Sequence, residues 1–263
     1  DSLSGRAALS WSPSSDLMLY GSVARGTKAG VFPNIEANLA SQYAPATQEK
    51  LLAYEIGAKG RLADWLRYDA AAYYYDYRDK QVFGAVADIL FTSLTRIVNI
   101  PRSHVLGLDM HVVAEPAPGW RVEAAVALMK TRIDEYRGFD DYGTYRDFEG
   151  GQFPYSPGMQ IALSATRSFA LDESWQAEAG LTVRHSSEAF ADMRGEQVYR
   201  LRPYATVDAS LLLARDGGDL EVAIDVENLF DEYYWNSVHL QSDSFTRYAA
   251  MPRTWRLSVA KRF

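Results

Sequence analysis

The chain has 263 residues, and 34 acidic against 27 basic side chains give it a formal net charge of −7, which argues against nucleic acid as a partner. Cysteine is absent, as suits a chain that crosses an oxidising periplasm. No run of about 18 apolar residues occurs, so the sequence excludes a transmembrane helix.

Alternating apolar and polar residues predict about eleven β-strands. Leu52, Tyr54 and Ile56, for example, alternate with Glu55 and Gly57. Each segment is long enough for the roughly 9–11 tilted residues that cross a bilayer as a strand. The strands are predicted near residues 3–11, 16–25, 51–62, 65–80, 103–114, 119–133, 157–169, 174–187, 203–214, 219–235 and 253–263.

Short polar turns and long loops separate these strands in alternation. Four of the turns lie beside tryptophans at nearly equal spacing, which are Trp11, Trp65, Trp120 and Trp175. Short turns at one end and long loops at the other are typical of a membrane barrel. A row of tryptophans at one level is typical of the membrane interface.

The last segment, residues 253–263, predicts a closing barrel strand. Trp255, Leu257, Val259 and Phe263 share one face, because side chains alternate across a strand. The other face carries small or cationic side chains. This pattern resembles the signal that the bacterial barrel-assembly machinery reads, although Lys261 stands where an apolar residue is usual.

We therefore predict an all-β, antiparallel transmembrane β-barrel. An odd set of about eleven strands cannot close into the even-numbered barrel of a single bacterial chain. Sheet edges with unpaired backbone groups are not tolerated in lipid, so we expect the barrel to continue upstream of Asp1. Alternation alone also permits a soluble β-sandwich, which is the structural alternative.

Four segments resemble motifs of the TonB-dependent outer-membrane receptors. Residues 25–30 (RGTKAG), 54–60 (YEIGAKG) and 99–109 (NIPRSHVLGLD) resemble three of the family's strand segments. Residues 226–234 (VENLFDEYY) resemble its penultimate-strand motif. The motif residues there are Asn228, Leu229, Phe230, Asp231 and Tyr234.

The resemblance implies that residues 1–263 form the C-terminal half of a 22-strand barrel, without the plug domain. It implies active uptake of a scarce nutrient, most often a ferric siderophore or related iron complex, across the outer membrane of a Gram-negative bacterium. The implied partners are outer-membrane lipid, the barrel-assembly machinery, the missing N-terminal half and plug, TonB acting through that plug, and a small-molecule metal chelate. No enzyme activity and no cofactor are implied.

Ligand contacts are expected in the long loops, where aromatic and cationic side chains suit a chelate by stacking and cation–π contact. An aromatic girdle with solvated loop tips is the alternative interpretation of the same residues. The candidate residues are Lys28, Tyr43, Tyr142, Tyr145, Phe153, Trp235, His239 and Arg247.

Other activities have weaker signals in the sequence. The four histidines are scattered without metal-binding spacing, so no metal site is predicted. His185 and Ser187 share a strand face, an arrangement loosely compatible with an outer-membrane phospholipase. A self-contained twelve-strand autotransporter translocator is a closer rival, since it has a similar length and also ends in Phe.

Overall fold

A computed structural model describes residues 2–32, 40–90, 92–215, 219–241 and 244–262. Within these ranges the protein is almost entirely β-structure, with two short 3-10 helices at Ala40–Tyr43 and Gln197–Tyr199. None of the helices described is long and apolar enough to cross a membrane.

Eleven long strands follow one another in a single antiparallel sheet. They are β1 (Gly5–Ser14), β2 (Leu17–Lys28), β3 (Glu49–Ala63), β4 (Leu66–Asp88), β5 (Thr92–Ala114), β6 (Trp120–Glu135), β9 (Met159–Ala170), β10 (Trp175–Ser186), β13 (Tyr204–Arg215), β14 (Leu220–Glu227) and β17 (Thr254–Lys261). Six short strands lie in the loops: β7 (Arg137–Phe139), β8 (Tyr145–Asp147), β11 (Ala189–Phe190), β12 (Arg200–Leu201), β15 (Trp235–Gln241) and β16 (Ser244–Ala249).

The predicted antiparallel, all-β fold is confirmed, with seventeen strands in the described residues instead of about eleven. The eleven predicted strands correspond to the eleven of the continuous sheet, and the other six are loop strands too short for alternation to reveal. One continuous sheet also shows that the β-sandwich alternative is wrong. The sheet is not closed, because β1 and β17 lie at its two ends and each pairs with one neighbour in the described part of the chain.

Three boundaries differ from the sequence prediction. Strands β4 and β5 each run for 23 residues, because they continue beyond the sheet as a long hairpin. The strand predicted near residues 219–235 ends at Glu227. The next residue, Asn228, has a φ of 52°, and this left-handed conformation cannot continue a strand.

The register gives the sheet one apolar and one polar face. Ile224 stands opposite Leu257, and Val222 stands opposite Val259. Trp255, Leu257 and Val259 share a face with Val222 and Ile224. The alternate residue Glu227 lies on the opposite face, which lines the concave side of the sheet, so the predicted apolar face of the last strand points outward. Phe263 lies outside the described residues.

The four tryptophans lie at the tight-turn end of the sheet. Trp120 and Trp175 begin β6 and β10, Trp65 lies in the turn between β3 and β4, and Trp11 is three residues from the end of β1. Trp11, Trp65 and Trp120 are 42–64% exposed. This arrangement is that of an interfacial belt.

Two motif glycines make room for tyrosines on the polar face. A Cβ on Gly57 would lie 2.4 Å from the Tyr20 ring, and one on Gly107 would lie 2.1 Å from the Tyr73 ring. Gly57 belongs to the YEIGAKG segment and Gly107 to the NIPRSHVLGLD segment. Both glycines therefore serve the packing of the wall.

Candidate ligand-binding surface

The long connections all leave the sheet at the end opposite the tight turns. Three of them, residues 136–158, 187–203 and 228–253, carry short strands of their own. Backbone hydrogen bonds join the first two, since the Gln152 amide donates to the Met193 carbonyl and the Tyr155 amide to the Phe190 carbonyl. The loops thus form one connected layer.

Two apolar clusters fill this layer. The first joins the long hairpin to the loops and contains Val98, Ile100, Val105, Ile133, Tyr136, Phe148, Phe153 and Met193. The second joins loop 187–203 to the last loop and contains Ala189, Tyr199, Leu201 and Val238, with Trp235, Leu240 and Phe245 packed against it. Apolar burial therefore orders the loops, as it orders a domain core.

Side-chain bonds add three links between the loops. The Tyr155 hydroxyl donates to the Val238 carbonyl at 3.0 Å. The Tyr199 hydroxyl donates to the Asp141 carboxylate, and burial together with that carboxylate raises the pKa of Tyr199. The Arg247 guanidinium donates to the Val198 carbonyl at 3.1 Å.

The three candidate residues of the last loop lie on one hairpin. Arg247 lies over the Trp235 ring, 4.7 Å from its centroid. His239 lies between two tyrosines, 6.2 Å from the Tyr155 ring and 5.9 Å from the Tyr248 ring. Because Arg247 stands opposite Val238 and His239 stands opposite Thr246, the Arg247–Trp235 pair and His239 lie on opposite faces of the β15–β16 hairpin.

The candidates of loop 136–158 have two different environments. Tyr142 and Tyr145 are 44% and 61% exposed near or on the β7–β8 hairpin. Phe153 is only 7% exposed, and its ring packs against Lys80 at 4.8 Å and against Tyr77 at 6.2 Å. Phe153 is therefore part of the loop core and presents no open face to a ligand.

Lys28 and Tyr43 belong to the connection between β2 and β3, away from the last loop in sequence. Lys28 ends β2, and Tyr43 is 51% exposed at the end of its 3-10 helix. Gln42 holds this helix to the long hairpin by donating to the Ala87 carbonyl at 2.8 Å. Within the described residues, no hydrogen bond or ion pair joins Lys28 to the Arg247–Trp235 pair.

A small pocket of about 60 Å³ lies between loops 136–158 and 187–203. Asp140, Asp141, Asp192 and Tyr142 contribute to its lining. Burial raises the pKa of the Asp192 carboxyl against the opposing hydrogen bonds from its own loop. Within the described ranges, no group of three or more His, Cys, Asp or Glu side chains is placed to hold a metal ion.

The polar face of the sheet encloses a larger cavity of about 870 Å³. Arg184 on β10 pairs with Asp208 on β13, and the Tyr204 and Tyr234 rings stack with centroids 3.8 Å apart. The sequence prediction missed Arg184, Asp208 and Tyr204 as cavity residues. Their alternation with apolar neighbours was the available signal, but it does not say which strands are adjacent.

The VENLFDEYY segment holds the start of the last loop against the wall. The Asn228 amide group bonds the Glu232 backbone twice, at 2.8 and 2.9 Å. The Leu229 amide donates to the Val207 carbonyl at 2.7 Å, and Asp231 accepts from the Arg253 amide at 2.8 Å. Phe230 is 74% exposed. Most of the motif is thus a structural turn.

His185 and Ser187 show no catalytic arrangement. The Ser187 hydroxyl accepts a hydrogen bond from the Met159 amide at 3.0 Å. His185 stands opposite Ile161 and Ala205 in the sheet, and in the described part of the chain no hydrogen bond joins it to Ser187. The geometry gives the phospholipase alternative no support.

A wall with an apolar exterior, a polar cavity and a packed layer of loops at one end defines an outer-membrane receptor barrel. The family model described as "TonB dependent receptor-like, beta-barrel" matches residues 1–229. The chain therefore belongs to the TonB-dependent receptor β-barrel family, and its place is the outer membrane of a Gram-negative bacterium. The resemblance carried by the four motifs is confirmed.

Solved structures agree with this assignment at the level of fold. The ferric yersiniabactin uptake receptor FyuA from Yersinia pestis is 20% identical, with a TM-score of 0.78 over 97% of this chain and 36% of that chain. The siderophore receptor PiuA from Acinetobacter baumannii is 19% identical, with a TM-score of 0.73 over 97% and 35%. The copper transporter OprC is 16% identical, with a TM-score of 0.73 over 99% and 39%.

The chain spans a little over a third of the length of these three structures. Comparison with curated protein sequences gives no match.

Proposed function

We propose that this chain belongs to an active-uptake receptor for a ferric siderophore or a related iron complex, energised through TonB. Residues 1–263 are its C-terminal barrel part and supply wall and extracellular loops. The N-terminal barrel half and a plug, through which TonB acts, complete the receptor. The barrel-assembly machinery reads the last strand, with Trp255, Leu257, Val259 and Phe263 as the signal.

One observation carries the proposal for ligand binding. The β15–β16 hairpin carries the Arg247–Trp235 pair on one face and His239 on the other, and it is held in a loop layer ordered by two apolar clusters and by bonds between loops. A preformed surface of aromatic rings and a cation suits a chelate that carries aromatic or anionic groups, because stacking and charge contacts need little rearrangement on binding.

Tyr142 and Tyr145 extend this surface, because the Tyr199–Asp141 bond ties their hairpin to the loop that Arg247 contacts. Lys28 and Tyr43 are proposed to meet the ligand from the β2–β3 side. Phe153 contributes indirectly, because it packs in the apolar cluster that holds the loops in place. The family match leaves the autotransporter alternative without support.

The test is uptake of radioactive iron, loaded on siderophores purified from the host's own iron-starved medium. Cells that carry the wild-type receptor should bind and import the label, and deletion of TonB should abolish import but leave surface binding. Surface binding should fall roughly tenfold in Arg247→Ala, the loss of about 1.4 kcal/mol expected for one desolvated cation–π or charged contact.

Arg137→Ala is the matched control, since Arg137 is a loop arginine whose partner is Asp147 at 3.0 Å and not an aromatic ring. Its binding should stay at the wild-type level. Import that persists without TonB, or a receptor that binds none of the iron complexes, would contradict the proposal.

A further inference from the structure

The apolar exterior of the sheet ends, on its loop side, at a row of three cations. Lys50 on β3 stands directly opposite Arg78 on β4, and Arg78 stands directly opposite Arg102 on β5. Directly opposed side chains in an antiparallel pair have Cβ atoms about 4.5–5.5 Å apart, and like charges in that position are destabilising. Such a row needs anions nearby.

The row faces outward. In the same alternation as Arg78, Tyr74 stands opposite Tyr54 and Leu106, and these three apolar or aromatic side chains are 41–55% exposed. The Lys50 and Arg78 side chains are themselves 46% and 42% exposed. The cations therefore border the lipid-facing surface and do not line the cavity.

More basic residues lie on the same face, two to four positions closer to the tight turns. Arg132 stands opposite His104, and Lys130 stands opposite Leu106. Arg25 on β2 stands opposite Leu52, two positions from Lys50. We name the whole set the basic belt: Arg25, Lys50, Arg78, Arg102, Lys130 and Arg132.

Acidic neighbours neutralise the basic belt only in part. Arg78 pairs with Asp76 at 3.2 Å, Lys50 approaches Asp79 at 4.0 Å, and Arg132 approaches Asp134 at 4.0 Å. Arg102 stands opposite Glu135, yet among the described residues it makes no ion pair. The basic belt therefore carries an excess of positive charge, although the net charge of the chain is −7.

The height of the basic belt matches a membrane interface. Trp120 begins β6 at the tight-turn end, and Lys130 lies ten residues along the same strand. Ten residues at about 3.4 Å each, tilted by about 40°, rise roughly 25 Å. That is the height of the apolar band of an outer-membrane barrel. Arg78 lies thirteen residues from Trp65 on the β4 side of its turn, a rise of roughly 34 Å by the same arithmetic. The basic belt therefore extends from the loop-side edge of the apolar band into the headgroups of that leaflet.

We propose that the basic belt is a docking surface for the phosphate groups of a phosphorylated lipid in that leaflet. Arginine binds phosphate through two parallel N–H donors, and lysine adds a compact positive charge. A lipid phosphate placed at the Lys50–Arg78–Arg102 row relieves the repulsion between the three cations. The lipid chains then lie against the apolar band that begins at Tyr54, Tyr74 and Leu106.

The test compares lipid retention by the intact protein that carries this chain, purified from outer membranes. The probes are phosphatidylcholine nanodiscs that contain either diphosphorylated lipid A or the same lipid with its phosphates removed. The wild type should retain the phosphorylated lipid through purification and lose the dephosphorylated one. The triple variant Lys50→Gln, Arg78→Gln and Arg102→Gln should retain at least roughly tenfold less of the phosphorylated lipid than the wild type.

A charge-matched control removes three cations of the polar face, Lys59→Gln, Arg67→Gln and Arg121→Gln, whose partners are Asp69, Glu115 and Glu123. It should retain lipid as the wild type does. If the triple variant does not fold, as judged by heat-modified gel mobility, the single variant Arg102→Gln replaces it, with a loss of several-fold expected.

Three results would overturn the proposal. One is equal retention of lipid by the wild type and the belt variants. Another is equal retention of phosphorylated and dephosphorylated lipid. The third is full displacement of the lipid by inorganic phosphate alone, which would make the row a general anion site and not a lipid-docking surface.

Discussion

The carboxylate of Asp208 accepts a hydrogen bond from the backbone amide of Asn228 at 2.9 Å. Asp208 belongs to the wall strand β13, and Asn228 is the first residue after β14. This bond fixes the point at which the last long loop leaves the wall. Asn228 itself is 5% exposed, and both polar atoms of its side chain bond the Glu232 backbone.

Replacing Asn228 should therefore loosen the last loop. Asn228→Gly retains the positive φ but removes the side-chain bonds, so we expect the free energy of unfolding to fall by about 1–3 kcal/mol. Asn228→Asp keeps the acceptor for the Glu232 amide, so its free energy of unfolding should lie between those of the wild type and Asn228→Gly. Urea unfolding in detergent micelles measures the difference. A glycine variant as stable as the wild type would show that the motif turn does not depend on these bonds.

The close approach of Tyr73 to Gly107 gives a second prediction. A Cβ at residue 107 would lie 2.1 Å from the Tyr73 ring, so Gly107→Ala must displace that ring from its stacked position 4.7 Å from Tyr75. We expect a loss of about 1–3 kcal/mol in the free energy of unfolding. The double variant Gly107→Ala with Tyr73→Ala should lose less than the sum of the two single variants. Additive losses would mean that the two residues are not coupled.

The order of loop 187–203 should depend on pH through Asp192. Burial raises the pKa of this carboxyl above its ordinary value of 3.8, so the folded loop binds the proton more tightly than the unfolded chain does. The stabilisation is complete below the ordinary pKa, and it is lost as the pH rises through the raised native pKa.

Asp192→Asn should remove this dependence, because an amide stays neutral and still accepts hydrogen bonds. Amide hydrogen exchange of residues 189–201, compared between the two proteins at each pH, cancels the intrinsic effect of pH on exchange. We expect protection in the wild type to fall relative to the variant as the pH rises. A constant ratio would contradict the role given to Asp192.

The hydroxyl of Tyr199 should couple two loops. Tyr199→Phe removes the bond to Asp141, which frees the β7–β8 hairpin from loop 187–203. Trypsin should then cleave after Arg137 or Arg146 roughly threefold to tenfold faster, as the loss of about 1 kcal/mol implies. Tyr145→Phe is the control, because the Tyr145 hydroxyl makes no hydrogen bond within the described ranges. Equal cleavage of both variants and the wild type would show that the apolar cluster alone holds the loops.

The strands were predictable because each of them carries its own signal. Leu257 and Val259 alternate with Arg256 and Ser258, and the register places the first pair on the outward face with Ile224 and Val222. Gly57 and Gly107 also stand out in the sequence as motif glycines, but the tyrosines that they accommodate lie on other strands. Register is a relation between strands, and a single sequence does not contain it.

The loops were harder to predict because their order comes from contacts between distant segments. Phe153 was predicted as a ligand residue from its aromatic type, but its burial depends on Lys80 and Tyr77 of the long hairpin. Trp235 and Arg247 do come together on one face of their shared hairpin, whereas His239 lies on the other face. Their role in ligand binding stays a prediction.

The intact mass of the native protein tests the proposed receptor most directly. That protein should be extracted from outer membranes and detected with an antibody against residues 1–263. A C-terminal barrel part joined to a second barrel half and a plug predicts a mass roughly two to three times the 29.5 kDa of this chain. A native mass near 29.5 kDa would contradict the proposed receptor, because the described sheet would then have to close by itself.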